Sequence, residues 1–177
     1  EAYFAASEYA HAIEPTAATA FGCGAMYYKK GDIDKSIEYF DNAIELEQDP
    51  IQKSEYCYTA AQVLFSDKKL SKAKQYARKA IENNAEYGEP YILIAQMYAT
   101  SPNWSDEAAL NKCTYFAVID KLQKAKSVDP NLAEKANELI STYSRYTPKD
   151  EDLFFIGIKK GDAVTIGGWI GETTTVR

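Results

Sequence analysis

His11 is the only histidine in the 177-residue chain, and Cys23, Cys57 and Cys113 are its only thiols. A single imidazole excludes zinc motifs built on two histidines, and thiols spaced this widely, with no C-x-x-C pair, form neither a zinc knuckle nor a disulfide framework. His11 with Cys23 or Cys113 could make a thiolate nucleophile only if both side chains faced one cleft. Cys23 and Cys113 fall instead on apolar faces of helical segments, so the reading is not an enzyme. The acidic pairs Asp106-Glu107 and Glu151-Asp152 read as solvated charge or as first-turn charge favoured by the helix dipole. Gly22-x-Gly24 has no preceding strand and no third glycine, so it is not a phosphate loop. Asn103-Trp104-Ser105 matches a glycosylation sequon, which matters only in a compartment that glycosylates. No cofactor and no metal is implied. With 20 Lys+Arg against 26 Asp+Glu, the net charge of -6 disfavours a counterion-release grip on nucleic acid or anionic lipid. No apolar run approaches the roughly 20 residues of a membrane-spanning helix.

What remains is periodicity. From Gly24, GAMYYKKGDIDKSIEYFDNAIEL predicts a helix, a tight turn at Lys30-Gly31-Asp32, and a second helix with apolar residues at Ile33, Ile37, Phe40 and Ile44. Tyr58 to Asn83 repeats this hairpin, and a third copy opens at Tyr91. The matching alanines are Ala43, Ala80 and Ala125, with steps of 37 and 45 residues. The third copy carries the turn sequence Thr100-Ser101-Pro102-Asn103-Trp104, followed by a helix predicted from an N-cap at Ser105 to Val128, about 36 Å long at 1.5 Å per residue.

With small residues at Gly24, Ala61 and Ala95, large ones three places on at Tyr27, Leu64 and Tyr98, and the triplets Ser36-Phe40-Ala43, Ala73-Ala77-Ala80 and Val118-Leu122-Ala125, the chain resembles the tetratricopeptide repeat (TPR) family. Pro130 matches the closing proline of the pattern. Ala20 and Cys57 stand where the family prefers Trp, Cys23 and Ala60 where it prefers Leu, and Ala77 where it prefers an aromatic. The resemblance implies an all-α superhelix, a TPR-like solenoid of about three helical hairpins plus a capping helix. Its units fall at about 17–50, 54–87 and 88–131, with a capping helix at 131–146 and a partial unit at 1–15. Residues 148–177 form a β-rich tail: LFFIGI, AVTIGGWI and TTTVR read as strands, making a small hairpin or meander over the last helix. The start inside an apparent helix reads as the C-terminal part of a longer repeat protein, and the tail is similar to that of some bacterial envelope proteins, which implies a periplasmic or envelope location.

The family's groove-facing places fall on Phe21, Ala25, Tyr28 and Lys29 in the first unit, Tyr58, Gln62 and Phe65 in the second, and Ile92, Gln96 and Ala99 in the third. Chaperone-binding members hold a carboxylate with Lys and Asn at two of these places, where Phe21 and Ala25 stand here. The resemblance therefore implies a non-catalytic scaffold with a protein or peptide partner in an apolar, aromatic groove, not a chaperone tail. Two alternatives stand beside it. One is a carbohydrate- or ligand-binding envelope component, stacking on Tyr28, Tyr58, Trp104 or Trp169. The other is a self-assembling module that associates through the N-terminal half-repeat or the β tail. Most of the 14 tyrosines are explained by packing positions such as Tyr27, Tyr91, Tyr98 and Tyr143, and the two tryptophans read as loop-burying residues.

Overall fold

Capping side chains set the first boundaries. Thr16 accepts from the Thr19 amide, Asp32 from Lys35, and Asp49 from Ile51, each satisfying an amide that has no partner in its own helix. In the computed structural model, which describes residues 2–177 and side chains from residue 5, these caps start α2 (Ala17–Lys30), α3 (Ile33–Leu46) and α4 (Pro50–Ser66), which lie between α1 (Ala2–Ile13) and α5 (Leu70–Asn83). Of the partial unit expected over 1–15, residue 1 lies outside the described residues. The chain divides into two compact units, the first ending at Ala85 and the second running from Glu86 to Arg177.

In the first unit α2 packs on α3 and α4 on α5, giving two helical hairpins, with α1 against α2 and α3 against α4. The repeat's small residues explain how closely these helices approach. A Cβ on Gly24 would stand 2.6 Å from the Phe40 ring, so the missing side chain is what lets the ring lie on α2. The second hairpin carries Ala61 and Ala77 at the equivalent places, both fully buried, so its small residue from α5 replaces the aromatic from α3. Ser36 Oγ donates to the Gly24 carbonyl and Ser54 Oγ to the Ala80 carbonyl, both at 2.8 Å, tying paired helices together without leaving a buried hydroxyl unsatisfied. Between hairpins, Tyr76 donates to Asp41 and Lys69 bridges Asp34 at 3.1 Å.

The second unit starts with α6 (Glu89–Thr100) against α7 (Ala108–Val128), followed by a 3-10 turn at Pro130–Leu132, α8 (Ala133–Tyr143) on α7, and a second 3-10 turn at Ser144–Tyr146. Helix α7 begins at an N-cap on Glu107, not on Ser105 as expected. Asn111 is the reason. Its Oδ1 accepts from the amides of Trp104 and Ser105 at 2.9 Å each, while Ser105 Oγ accepts from the Glu107 amide at 3.1 Å. The polar groups of the insertion are thus held in a turn that precedes the helix.

The tail also differs from expectation at LFFIGI. Its first residues belong to α9 (Asp150–Phe154), and the run ends in a turn through Gly157 at φ 75°. Asp152 accepts from the Lys149 amide at 3.4 Å and pairs with Lys112 of α7 at 3.1 Å, which favours a helical turn, and among the described residues no strand lies alongside to receive an extended chain. The two strands are β1 (Ala163–Thr165) and β2 (Thr173–Thr175), antiparallel with Val164 opposite Thr174. The remainder of AVTIGGWI forms the connecting turn, with Ile166 and Ile170 buried. This hairpin, expected over the last helix, instead lies on α7. Thr174 Oγ1 donates to Asp120 at 2.6 Å, Arg177 pairs with the same carboxylate, and Lys121 pairs with Glu172 at 2.7 Å. Glu172 also accepts from Tyr98 of α6 at 2.6 Å, and Trp169 meets the Tyr98 ring edge-on at 5.5 Å.

Candidate functional site

An open cleft of about 260 Å³ in the first unit is lined by Ala25 and Tyr28 of α2, Phe40 of α3, and Thr59, Gln62 and Val63 of α4. Apolar spacing puts Ala25 and Tyr28 on one side of α2, and the same spacing puts Thr59, Gln62 and Val63 on the facing side of α4. Phe40 reaches the floor because Gly24 stands aside for it. Tyr28 is 42% exposed and its hydroxyl donates to Ser66 Oγ at 3.4 Å, linking the ends of α2 and α4. The floor is therefore apolar, with a phenol, a hydroxyl and an amide at the edge. Such a surface gains by burying apolar area and orients a ligand through a few hydrogen bonds.

Charged residues follow the cleft residues along α2 and α4. Exposed Lys29 follows Tyr28, and exposed Lys68 lies two residues beyond Ser66. Lys69 joins Asp34 and Asp67 at 3.1 and 3.0 Å. The hydrogen bonds it donates to Asp67 and Asp34 hold the Lys69 ammonium above its ordinary pKa. One turn before Thr59 on α4, the exposed Glu55 carboxylate accepts from Gln52 Nε2 at 3.0 Å.

Ala25, Tyr28 and Gln62 among the expected groove residues meet in this cleft, and Lys29 is exposed at the next position of α2 after Tyr28. Phe21 is half-buried and packs inward, stacked on Tyr56 at 4.5 Å and tilted against Phe40 at 5.2 Å. Tyr58 and Phe65 are half-buried on α4. In the second unit Ile92 is 1% exposed, which corrects its expected place on a groove, since a buried side chain on a helix that is apolar nearly all round offers no surface. Gln96 and Ala99 are half-buried. Phe40, Thr59 and Val63 escaped sequence reasoning. Phe40 belongs to a second helix and counted as packing; the Gly24–Phe40 size pairing was the signal that its ring reaches across.

The other residues with chemical potential are accounted for by structure. His11 Nδ1 lies 2.9 Å from Thr19 Oγ1, and Cys23 donates to the Ser7 carbonyl at 3.3 Å. All three thiols are buried, with those of Cys57 and Cys113 pushed up to about 11 by that burial. Trp104 donates from Nε1 to Thr114 Oγ1 at 3.1 Å and lies against Gly167, where a Cβ would stand 2.6 Å from the indole. Trp104 and Trp169 are both half-buried, and Trp104 borders an open hollow with Asn103, Ser105 and Asp106. Among the described residues no three His, Cys, Asp or Glu side chains gather in a metal-holding group, and no helix is long and apolar enough to cross a membrane.

Stacked helical hairpins with small residues at the crossings and a ligand-sized cleft on the first helices define a helical-repeat fold of the kind that binds other chains. A model of the tetratricopeptide repeat family matches residues 24–50 and 54–87, and these two stretches are tetratricopeptide repeats. It is 36% identical over 80 residues to stress-induced-phosphoprotein 1 of Caenorhabditis elegans, a match covering 45% of this chain and 24% of that protein. The chain thus spans about a quarter of the length of this curated relative. The fold is similar to that of MamA, with a TM-score of 0.56 at 18% identity over 81% of each chain. It is also similar to the first TPR of Spaghetti (RPAP3) bound to the HSP90 peptide SRMEEVD, with a TM-score of 0.55 at 18% identity over 74% of this chain and 92% of that one. The TPR2B domain of yeast Sti1 in its pHsp70 complex gives a TM-score of 0.57 at 18% identity, over 73% of this chain and 96% of that one.

Proposed function

We propose that the chain is a non-catalytic interaction scaffold that takes an extended segment of a partner protein in the cleft between α2 and α4. The observation that carries this reading is the open apolar floor of Ala25, Phe40 and Val63, edged by Tyr28, Thr59 and Gln62. Peptide complexes of the similar Spaghetti and Sti1 domains support the class of ligand. The ligand's chemistry is different here. Phe21 and Ala25 provide neither a cation nor an amide for a terminal carboxylate, and Phe21 is occupied in packing against Tyr56. A scaffold whose helices are already packed binds without first ordering itself, so a short apolar segment suffices. In the same reading residues 1–147 form the helical scaffold and residues 148–177 its closing tail.

Selection from a displayed library of random peptides tests the cleft. The wild type is expected to enrich a shared motif with an apolar or aromatic residue at its centre. The double variant Tyr28→Ala, Gln62→Ala is expected to bind the enriched peptides at least about tenfold more weakly, roughly 1.4 kcal/mol. Equal binding by the variant, with circular dichroism unchanged, overturns the assignment. SRMEEVD is expected to show no saturable binding.

A further inference from the structure

In the first hairpin Tyr27 of α2 and Tyr39 of α3 stack on each other at 5.4 Å and together face α1. Tyr27 donates to Glu8, and Tyr39 meets the His11 ring edge-on at 5.7 Å. The second hairpin repeats the arrangement one step along. Tyr76 of α5, at the repeat position of Tyr39, donates to Asp41 of α3, and α4 packs on the same helix. Each hairpin is therefore seated against the helix that precedes it in the chain, and its contact residues stand at fixed places in the repeat. Aligning Gly24 with Ala95, and Phe40 with Leu122, puts Tyr98 of α6 at the place of Tyr27 and Lys121 of α7 at the place of Tyr39.

Both of these residues converge on the C-terminal tail. Tyr98 donates to Glu172 at 2.6 Å, Lys121 pairs with the same carboxylate at 2.7 Å, and Trp169 closes edge-on over the Tyr98 ring. Beside them Asp120 accepts from Thr174 and pairs with Arg177, whose guanidinium lies over the Phe116 ring at 5.8 Å. Glu172 thus does for Tyr98 what Glu8 does for Tyr27, but it comes from 74 residues further along the chain and not from a helix in front. We propose that the tail's β-hairpin occupies the seat of a preceding repeat helix on α6 and α7, closing the third hairpin from the chain's other end so that it holds its fold without a neighbour before it. A repeat face left open puts apolar surface in water, which is why the ends of such arrays need covering. The tail needs the seat in return, because a two-stranded hairpin is marginal alone, and here its Val164, Ile166, Ile170 and Val176 side chains are all buried. A helix from any other repeat reaches this face only by displacing the tail. The inference is independent of the cleft reading, which concerns α2 and α4.

Hydrogen exchange of the full chain, read by peptide mass spectrometry, provides the test. Phe40→Asp, which puts a charge into the core of the first hairpin, is expected to speed exchange throughout α2 and α3 and to leave the amides of α6 and α7 within about twofold of wild type. Glu172→Lys with Trp169→Ser is expected to do the reverse, speeding exchange in α6 and α7 at least about tenfold and leaving α2 and α3 unchanged. A milder pair removes one hydroxyl each: Tyr27→Phe is expected to speed exchange in α1, and Tyr98→Phe in residues 163–176, neither affecting the other's partner. Loss of protection in α6 and α7 on Phe40→Asp overturns the proposal, since the third hairpin then depends on what precedes it. Protection of α6 and α7 unchanged by Glu172→Lys with Trp169→Ser equally overturns it, since the tail then closes nothing.

Discussion

Gly31 and Lys68 close equivalent turns of the first two hairpins with the same left-handed backbone, at φ 81° and 60°. The hydrogen bonds are equivalent too. Gly31 and Asp32 donate to Tyr28 and Tyr27, as Lys68 and Lys69 donate to Phe65 and Leu64, all at 2.9–3.0 Å. This is the Schellman closure of an α-helix, for which glycine is suited and a side chain with a Cβ is strained.

Lys68→Gly is therefore expected to raise stability by up to about 1 kcal/mol, the relief of strain exceeding the extra entropy of the unfolded chain. Gly31→Ala is expected to lower it by about 1–2 kcal/mol. Urea titrations of both variants check the pair, and a loss of stability in Lys68→Gly contradicts the strain argument.

Two glycines of α2 provide an internal control on packing. A Cβ at Gly22 meets nothing within 4 Å, whereas one at Gly24 meets the Phe40 ring at 2.6 Å. Gly22→Ala is expected to stabilise by about 0.5–1 kcal/mol through helix propensity. Gly24→Ala gains the same propensity but forces a buried ring to move, for a net loss of about 1 kcal/mol or more. Thermal melts that order the proteins Gly22→Ala, wild type, Gly24→Ala from most to least stable are the expected outcome.

Buried tyrosines make stability fall at high pH. The bond from Tyr27 to Glu8, with burial and the Glu8 charge, raises the Tyr27 pKa to about 12. Burial and the bond to Asp41 push Tyr76 higher still. These phenols hold their protons in the folded chain while unfolded tyrosines release theirs near pH 10. The contribution is thus fully present below pH 10 and is lost as pH rises through the folded values. Chemical unfolding at pH 8, 10 and 11 is expected to show this decline, and Tyr27→Phe with Tyr76→Phe to reduce its slope.

Thiol access is expected to report local opening. Cys57 and Cys113 are fully buried and, with pKa values near 11, protonated at neutral pH, so maleimide labelling of either requires unfolding. Cys23 is covered in part by α1, whose Ser7 carbonyl accepts its thiol. Helix α1 packs on α2 and meets α3 through His11 on Tyr39, and none of its described side chains is fully buried, so it opens more readily than the hairpin cores. Labelling of Cys23 ahead of the other two, read by peptide mass spectrometry, is the expected order.

Thr114 is buried beneath the Trp104 loop, accepting from the indole and donating to the Pro102 carbonyl at 2.9 Å. Thr114→Val keeps the shape but leaves two polar groups without partners, for an expected loss of about 1–3 kcal/mol. A red shift of tryptophan emission below the unfolding transition is the accompanying signal.

The hairpins were legible because small residues recur where helices cross, at Gly24, Ala61 and Ala95, and because Asp32 and Gly31 carry their own turn chemistry. The Trp104 insertion was legible as a turn, but its N-cap was not, since Asn111 competes for the loop's amides from within the helix it precedes. LFFIGI misled because a run of apolar residues is common to buried strands and short helices, and only the Lys112–Asp152 pair and the absence of a neighbouring strand decide between them. The cleft was half legible. Ala25, Tyr28 and Gln62 follow from repeat position, whereas the inward stacking of Phe21 on Tyr56 depends on a contact between helices 35 residues apart in sequence.

Periodicity and caps by themselves determined the repeat helices, their pairing into hairpins and the repeat class, because these depend on interactions within a few residues or between helices joined by a tight turn. Tertiary structure alone decided that Phe40 floors the cleft, that Ile92 is buried, that the β-hairpin rests on α7, and that Phe154 and Phe155 stay in solvent. Each of these is a competition between distant surfaces for the same apolar neighbours, and its outcome depends on shape and packing volume that no single segment encodes.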